Sequence, residues 1–150
     1  MRRVSVMVLG TAERRAGYRS LLSSRHDVAV VGEGLQLADA LPLIVRFQPD
    51  VLLIADASNR LPHPFSLSTV RRLSPHTRVV LITAATTPDH VALEAARRGA
   101  HGCLAEADAA RFLTKAVRAV AGGEAWFPRR IAPEILSHLI ADDAAKESAR

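Results

Sequence analysis

The chain has 150 residues, 49% of them apolar, and a formal net charge of +5; this is enough for one globular domain with its own core, and it excludes an intrinsically disordered chain. No apolar run approaches the roughly 20 residues of a membrane span. The single cysteine, Cys103, excludes disulfide frameworks and cysteine-based zinc sites.

Met1-Arg2-Arg3 leads straight into a strand-like segment without a signal peptide, so a cytoplasmic protein is expected, with no membrane partner. The histidines (26, 63, 76, 90, 101 and 138) are scattered and lack the pair spacing of a metal site. The basic balance permits contact with nucleic acid or acidic partners. Its arginine doublets, at 2–3, 14–15, 71–72, 97–98 and 129–130, read as solvated helix faces spread along the chain. Aromatic residues are too few for a base-stacking platform.

In chain order, Arg3 to Val8 is a β-branched first strand that exits through Leu9-Gly10-Thr11. A helix is expected from Ala12 to Ser24, with Tyr18, Leu21 and Leu22 inward. Asp27 to Glu33 is a second strand. A second helix, about Gln36 to Phe47, places Leu37, Ala40, Leu41, Ile44 and Val45 at the spacing of one buried face. Pro42 lies inside it, which predicts either a later start near Asp39 or a kink. Val51 to Ala55 is short and fully apolar, as suits a central strand of a parallel sheet. A loop, Asp56 to Pro64, precedes a helix from Phe65 to Leu73. Arg78 to Thr83 is the fourth strand. Thr87-Pro88 reads as an N-cap followed by proline at the first helical position, opening a helix to Arg98 that Gly99 stops. His101 to Leu104 is a fifth strand. Asp108 is expected to cap a fifth helix to Ala121, whose inward stripe is Phe112, Leu113, Ala116, Val117 and Val120. After a hinge at Trp126-Phe127-Pro128, a last helix puts Ile135, Leu136, Leu139 and Ile140 on one face. Asp142 to Arg150 reads as a charged tail.

Strict βα alternation, five times over, implies α/β architecture: a doubly wound parallel sheet with right-handed crossovers. The flavodoxin-like order 2-1-3-4-5 is expected. Residues 3–123 form the domain, and 124–150 a linker helix and tail.

Several phrases carry a family resemblance. They are Val30-Val31-Gly32-Glu33, Gln48-Pro49-Asp50-Val51-Leu52-Leu53, Thr77 to Thr83, Ala95 to Leu104, and Ala116 to Trp126. In this order and spacing they resemble a response-regulator receiver domain (CheY-like), above all the NarL/FixJ group that precedes a LuxR-type helix-turn-helix. The resemblance spans roughly residues 3 to 140. It implies a regulatory module of a two-component system and a homodimer. It also implies that DNA is bound only through a helix-turn-helix outside these residues. The linker-like 129–140 favour a piece of a longer regulator over a stand-alone domain.

The receiver chemistry that the resemblance implies needs two acids after strand one for Mg²⁺, an Asp ending strand three as phosphoacceptor, a Thr or Ser ending strand four, and a Lys after strand five. On this chain those positions are Leu9 and Gly10, Ala55, Thr83, and Glu106. Only Thr83 matches. Leu9 and Gly10 offer no oxygen, so Mg²⁺ binding is expected to be lost, and with it the main stabiliser of phosphoryl charge. Ala55 is no nucleophile, and Glu106 puts an anion where a phosphoryl group would sit. Asp56 is a shifted acceptor candidate, but side chains alternate along a strand, so a one-residue slip turns it to the other face; a turn or cap carboxylate is the plainer reading. Glu106 reads either as a solvated loop acid or as a stand-in for phosphoryl charge, bonding Thr83 or loop amides. Cys103 reads as a small buried hydrophobe. Gly32-Glu33-Gly34 lacks the third glycine of a dinucleotide loop. No nucleophile–base pair, metal triad or phosphate loop points to an enzyme.

The expected function is therefore an atypical, phosphorylation-independent receiver acting as a regulatory and dimerisation module. The rival reading is a small-molecule sensor whose ligand fills the emptied pocket near Gly10, Ala55, Thr83 and Glu106.

Overall fold

In a computed structural model, residues 2–55, 64–137 and 140–141 are described. Five strands form one parallel sheet: β1 (Val4–Gly10), β2 (Val28–Gly34), β3 (Val51–Ala55), β4 (Arg78–Thr83) and β5 (Gly102–Ala105), in the order β2-β1-β3-β4-β5. Five helices alternate with them: α1 (Ala12–Ser23), α2 (Leu37–Phe47), α3 (Pro64–Leu73), α4 (Asp89–Arg97) and α5 (Ala109–Ala121). This is the doubly wound, flavodoxin-like α/β fold that the alternation implied.

β3 lies at the centre because both of its faces are apolar, and all five of its residues are buried. Its side chains divide by alternation. Val51, Leu53 and Ala55 join Val6, Val8, Tyr18, Leu113 and Val117 beneath α1 and α5. Leu52 and Ile54 join Met7, Leu9, Ile44, Val70 and Ala95 beneath α2, α3 and α4. The start of β3 is tied to that of β1: Ser5 N donates to the Asp50 carboxylate at 2.9 Å, and Asp50 N donates to Ser5 Oγ at 2.9 Å.

Several local expectations need correction. α2 begins at Leu37 with Pro42 inside it; only one backbone bond is forfeited there, and the exposed side of the helix has room for the ring. Val45, expected inward, is exposed, while Ala40 and Ile44 carry the burial. Pro88 occupies the N-cap of α4 in extended geometry and Asp89 starts the helix, so the cap lies one residue later than Thr87. Asp108 sits at the α5 N-cap in helical geometry and makes no side-chain cap bond. The cause is a 3-10 turn, Glu106–Asp108, that runs directly into the helix.

Trp126 is not a free hinge. It pairs parallel with Gly102, Cys103 N donates to its carbonyl at 2.7 Å, and its own N–H donates to His101 O at 3.1 Å. One residue thus covers the open edge of β5, a common protection for an edge strand. A helix over 132–137 follows. Ile131 and Ile135 bury into the α4 side of the core, whereas Leu136 and Ile140 are 59% and 60% exposed. The expected four-residue face is therefore split, and Leu139 lies outside the described residues.

Candidate functional site

In a parallel sheet all strands end on one edge, so residues far apart in sequence meet there. β1 ends at Gly10, in register with Ala55 at the end of β3. β4 ends at Thr83, in register with Ala105 of β5, and Glu106 follows at once. Leu9, Gly10, Ala55, Thr83 and Glu106 thus share the carboxyl edge. Asp56 lies outside the described residues.

The Gly10–Ala55 contact is unusually close. Gly10 has φ +151°, and a Cβ there would lie 2.7 Å from the Ala55 carbonyl oxygen and 3.3 Å from the Ala55 Cβ. That backbone angle also disfavours any side chain. Position 10 therefore has neither the conformation nor the room for a carboxylate. Leu9 is buried and its side chain belongs to the α2–α4 side of the core. The side chains at these two positions do not fit a hard, oxygen-seeking divalent cation. Among the described residues no cluster of three or more His, Cys, Asp or Glu could hold a metal. Ala55 is fully buried.

The charges at this edge come from α1 and β2 as well. Thr11 caps α1 by accepting from Arg14 N at 3.3 Å. That cap aims the first turn across the edge, and Arg14 Nη2 lies 3.9 Å from Glu106 Oε1. Glu106 thus faces Arg14 rather than the Thr83 hydroxyl. Both partners are partly exposed, so the pair contributes about 0–1 kcal/mol. Tyr18 is buried below them; burial raises its pKa first, and the negative Glu106 raises it further. Arg19 holds Glu33, near the end of β2, at 2.7 Å, with Arg15 Nε 4.0 Å from the same carboxylate. Arg14 escaped the sequence reading. The signal was present, a cation in the first turn of a helix that follows the acid positions, but only the sheet order brings it to Glu106.

The fold and its sheet order match proteins of known class. The chain is 32% identical to the signal receiver domain assigned to the response regulator NarL of Mycobacterium tuberculosis, with a TM-score of 0.72 over 83% of this chain and 100% of that one. The chain belongs to the receiver domains of NarL/LuxR-type response regulators. No family model matches it. Among curated proteins it is 31% identical over 123 residues to the transcriptional regulatory protein YxjL of Bacillus subtilis, covering 82% of this chain and 56% of that protein. It is 27% identical over 133 residues to the nitrate/nitrite response regulator NarL of Escherichia coli, covering 89% and 61%. The receiver thus spans less than two thirds of the length of these relatives. No helix among its described residues is long and apolar enough to cross a membrane.

Proposed function

We propose that this receiver regulates without phosphoryl transfer, serving as the dimerisation module of a LuxR-type transcription regulator. The observation that carries the reading is the closed contact between Gly10 and the Ala55 carbonyl. It fills space that an acid pair would need. Beside it, Ala55 supplies no attacking oxygen, and Glu106 repels rather than binds a phosphoryl group. Leu9 and Gly10 leave Mg²⁺ without ligands, so no cofactor is assigned, and no group in this set performs catalysis. The same close contact and the burial of Ala55 disfavour a small ligand seated between these strand ends. Thr83 alone keeps the receiver pattern, and Arg14, the cation at this edge, faces Glu106; a hydroxyl without a metal or a free cation does not stabilise a transferred phosphoryl group. DNA recognition by base contacts is assigned to a helix-turn-helix outside these residues.

The test is incubation with acetyl phosphate, or with beryllofluoride, in the presence of Mg²⁺, followed by intact mass and size measurement. The expected result is an unmodified mass and a homodimer whose population ignores Mg²⁺ and beryllofluoride. A stable adduct, on Asp56 above all, or dimerisation that requires Mg²⁺ overturns the reading.

A further inference from the structure

The edge opposite the receiver site has its own chemistry. Strand starts and helix ends meet there, because every helix runs back against its strand. Arg2 and Arg3 precede β1, Arg25 and His26 precede β2, and Arg78 opens β4. The last turns of α2, α3, α4 and α5 carry Arg46, Arg71 with Arg72, Arg97, and Arg118. The first turns of α1, α2 and α4 carry Glu13, Asp39 and Asp89, on the carboxyl edge. Each placement suits its own helix dipole. Strict alternation then aligns them all, so cations gather at the amino edge, whereas the carboxyl edge mixes these acids with Arg14, Arg15 and Arg111. Arginine doublets that look scattered in sequence are gathered by the topology.

Local acids do not cancel this charge. Asp27 is held by Arg118 through two bonds of 2.5 and 2.7 Å. Asp50 is held by Arg2, and Glu94 by Arg97 and Arg98. Glu124, beyond α5, is a further acid at this end. Among the described residues, Arg3, Arg25, Arg71, Arg72 and Arg78 have no carboxylate within ion-pair distance. Arg3, Arg25, His26 and Arg118 line a cleft of about 480 Å³ with Ser24 and Asp27.

We propose that the amino edge of the sheet docks on the phosphate backbone of double-stranded DNA, without reading its sequence. Strands about 4.8 Å apart make the five-stranded edge roughly 20 Å wide. Along the helix axis that width spans about six base pairs, at about 3.4 Å each, a little over half a helical turn, so about three phosphates of one strand face the edge. Guanidinium groups suit phosphate oxygens, which they bind through two parallel bonds. Among the described residues the aromatic side chains at this edge are the exposed Phe47 and the partly buried Trp126, too few for a base-stacking platform, so its contacts position the protein and do not specify bases. The receiver would then add affinity to a base-reading domain elsewhere, which departs from DNA contact made only outside the receiver. The choice of DNA among polyanions rests on the regulatory reading; the charged edge itself does not.

The test is fluorescence anisotropy of the 150-residue chain with two unrelated labelled duplexes of about 20 base pairs, at about 50 mM salt, where phosphate contacts are strong. Both duplexes should bind equally, with log K falling linearly in log salt. Arg3→Glu/Arg25→Glu should weaken binding at least tenfold and flatten the salt slope by about 2. Arg3→Gln/Arg25→Gln should weaken it less, and Arg111→Glu at the carboxyl end of the molecule should leave it within about twofold. Thermal melts establish that each variant is folded. No binding at this salt, an unchanged affinity in both double variants, or an equal loss in Arg111→Glu overturns the proposal. So does binding to anionic phosphatidylglycerol vesicles but not to DNA. Acetyl phosphate labelling is read without DNA, so this proposal and the phosphorylation-independent reading can fail separately.

Discussion

Gly10 and Cys103 show how much one residue's surroundings decide. At Gly10 the backbone has φ +151° and abuts the Ala55 carbonyl. Gly10→Ala should therefore cost about 1–3 kcal/mol, combining strain at a glycine-only angle with the close approach. Urea unfolding reads this directly, and an unchanged midpoint would show that the strand exits part easily. Cys103 is buried, and burial pushes its thiol up to about 12. Thiolate is the reactive form. At about pH 8 a thiol reagent should leave the native protein unmodified and label it fully in guanidinium. The choice of Ala55 and Glu106 as candidate positions came from the family resemblance, and βα alternation placed them on one edge. The close contact at Gly10 was not legible, because φ and the distance between two strands are properties of the folded backbone.

At the scale of elements, β5 and the C-terminal helix each make a stability prediction. His101 enters β5 with its Nδ1 accepting from Val79 N at 3.2 Å, which requires that nitrogen to be unprotonated. Burial lowers its pKa from the ordinary 6.5, and the charges of Arg78 and Arg71 lower it further. The unfolded chain thus takes up the proton first. Stability from this group is full above its ordinary pKa and is lost as pH falls through that value and the depressed folded one. The melting temperature should therefore drop more between about pH 7.5 and 5.5 in the wild type than in His101→Gln. Equal drops would remove His101 as the cause. In the C-terminal helix, Ile135 is buried and Leu136 is 59% exposed. Ile135→Ala should cost about 2–4 kcal/mol by leaving a cavity beside α4, and Leu136→Ala less than about 0.5 kcal/mol; comparable losses would place the helix differently. Arg130 anchors the same segment by a bidentate pair with Asp89, Nη2 donating to Oδ1 at 2.6 Å and Nε to Oδ2 at 3.2 Å, and holds that carboxyl below its usual pKa. The sequence pattern identified this helix but put Leu136 and Ile140, both exposed, on one face with Ile135. Periodicity marks an apolar side; it does not reveal that Ile131, in the turn before the helix, completes the buried pair.

For the whole molecule, the order of elements was legible because βα alternation leaves few ways to wind a sheet. The candidate edge was legible because a parallel sheet collects its strand ends. The charge pattern was not, since a doublet such as Arg71-Arg72 has no direction until its helix does. This also bears on the proposed loss of phosphorylation chemistry. Leu9, Ala55 and Glu106 belong to three separate strands or their exits, yet Leu9 and Ala55 are both sealed in the core. Their space is occupied, not merely stripped of oxygens. Putting the family's side chains back should therefore not restore the chemistry. Leu9→Asp/Ala55→Asp/Glu106→Lys buries carboxylates in apolar packing, where each uncompensated charge costs about 3–5 kcal/mol, while Gly10 still cannot carry the second acid. The triple variant should unfold at lower urea than the wild type. It should also gain no phosphoryl mass from acetyl phosphate and Mg²⁺. If it remains stable and takes up a phosphoryl group at position 55, only side chains were lost and the edge kept its room. If it does neither, the fold itself has closed over the former site.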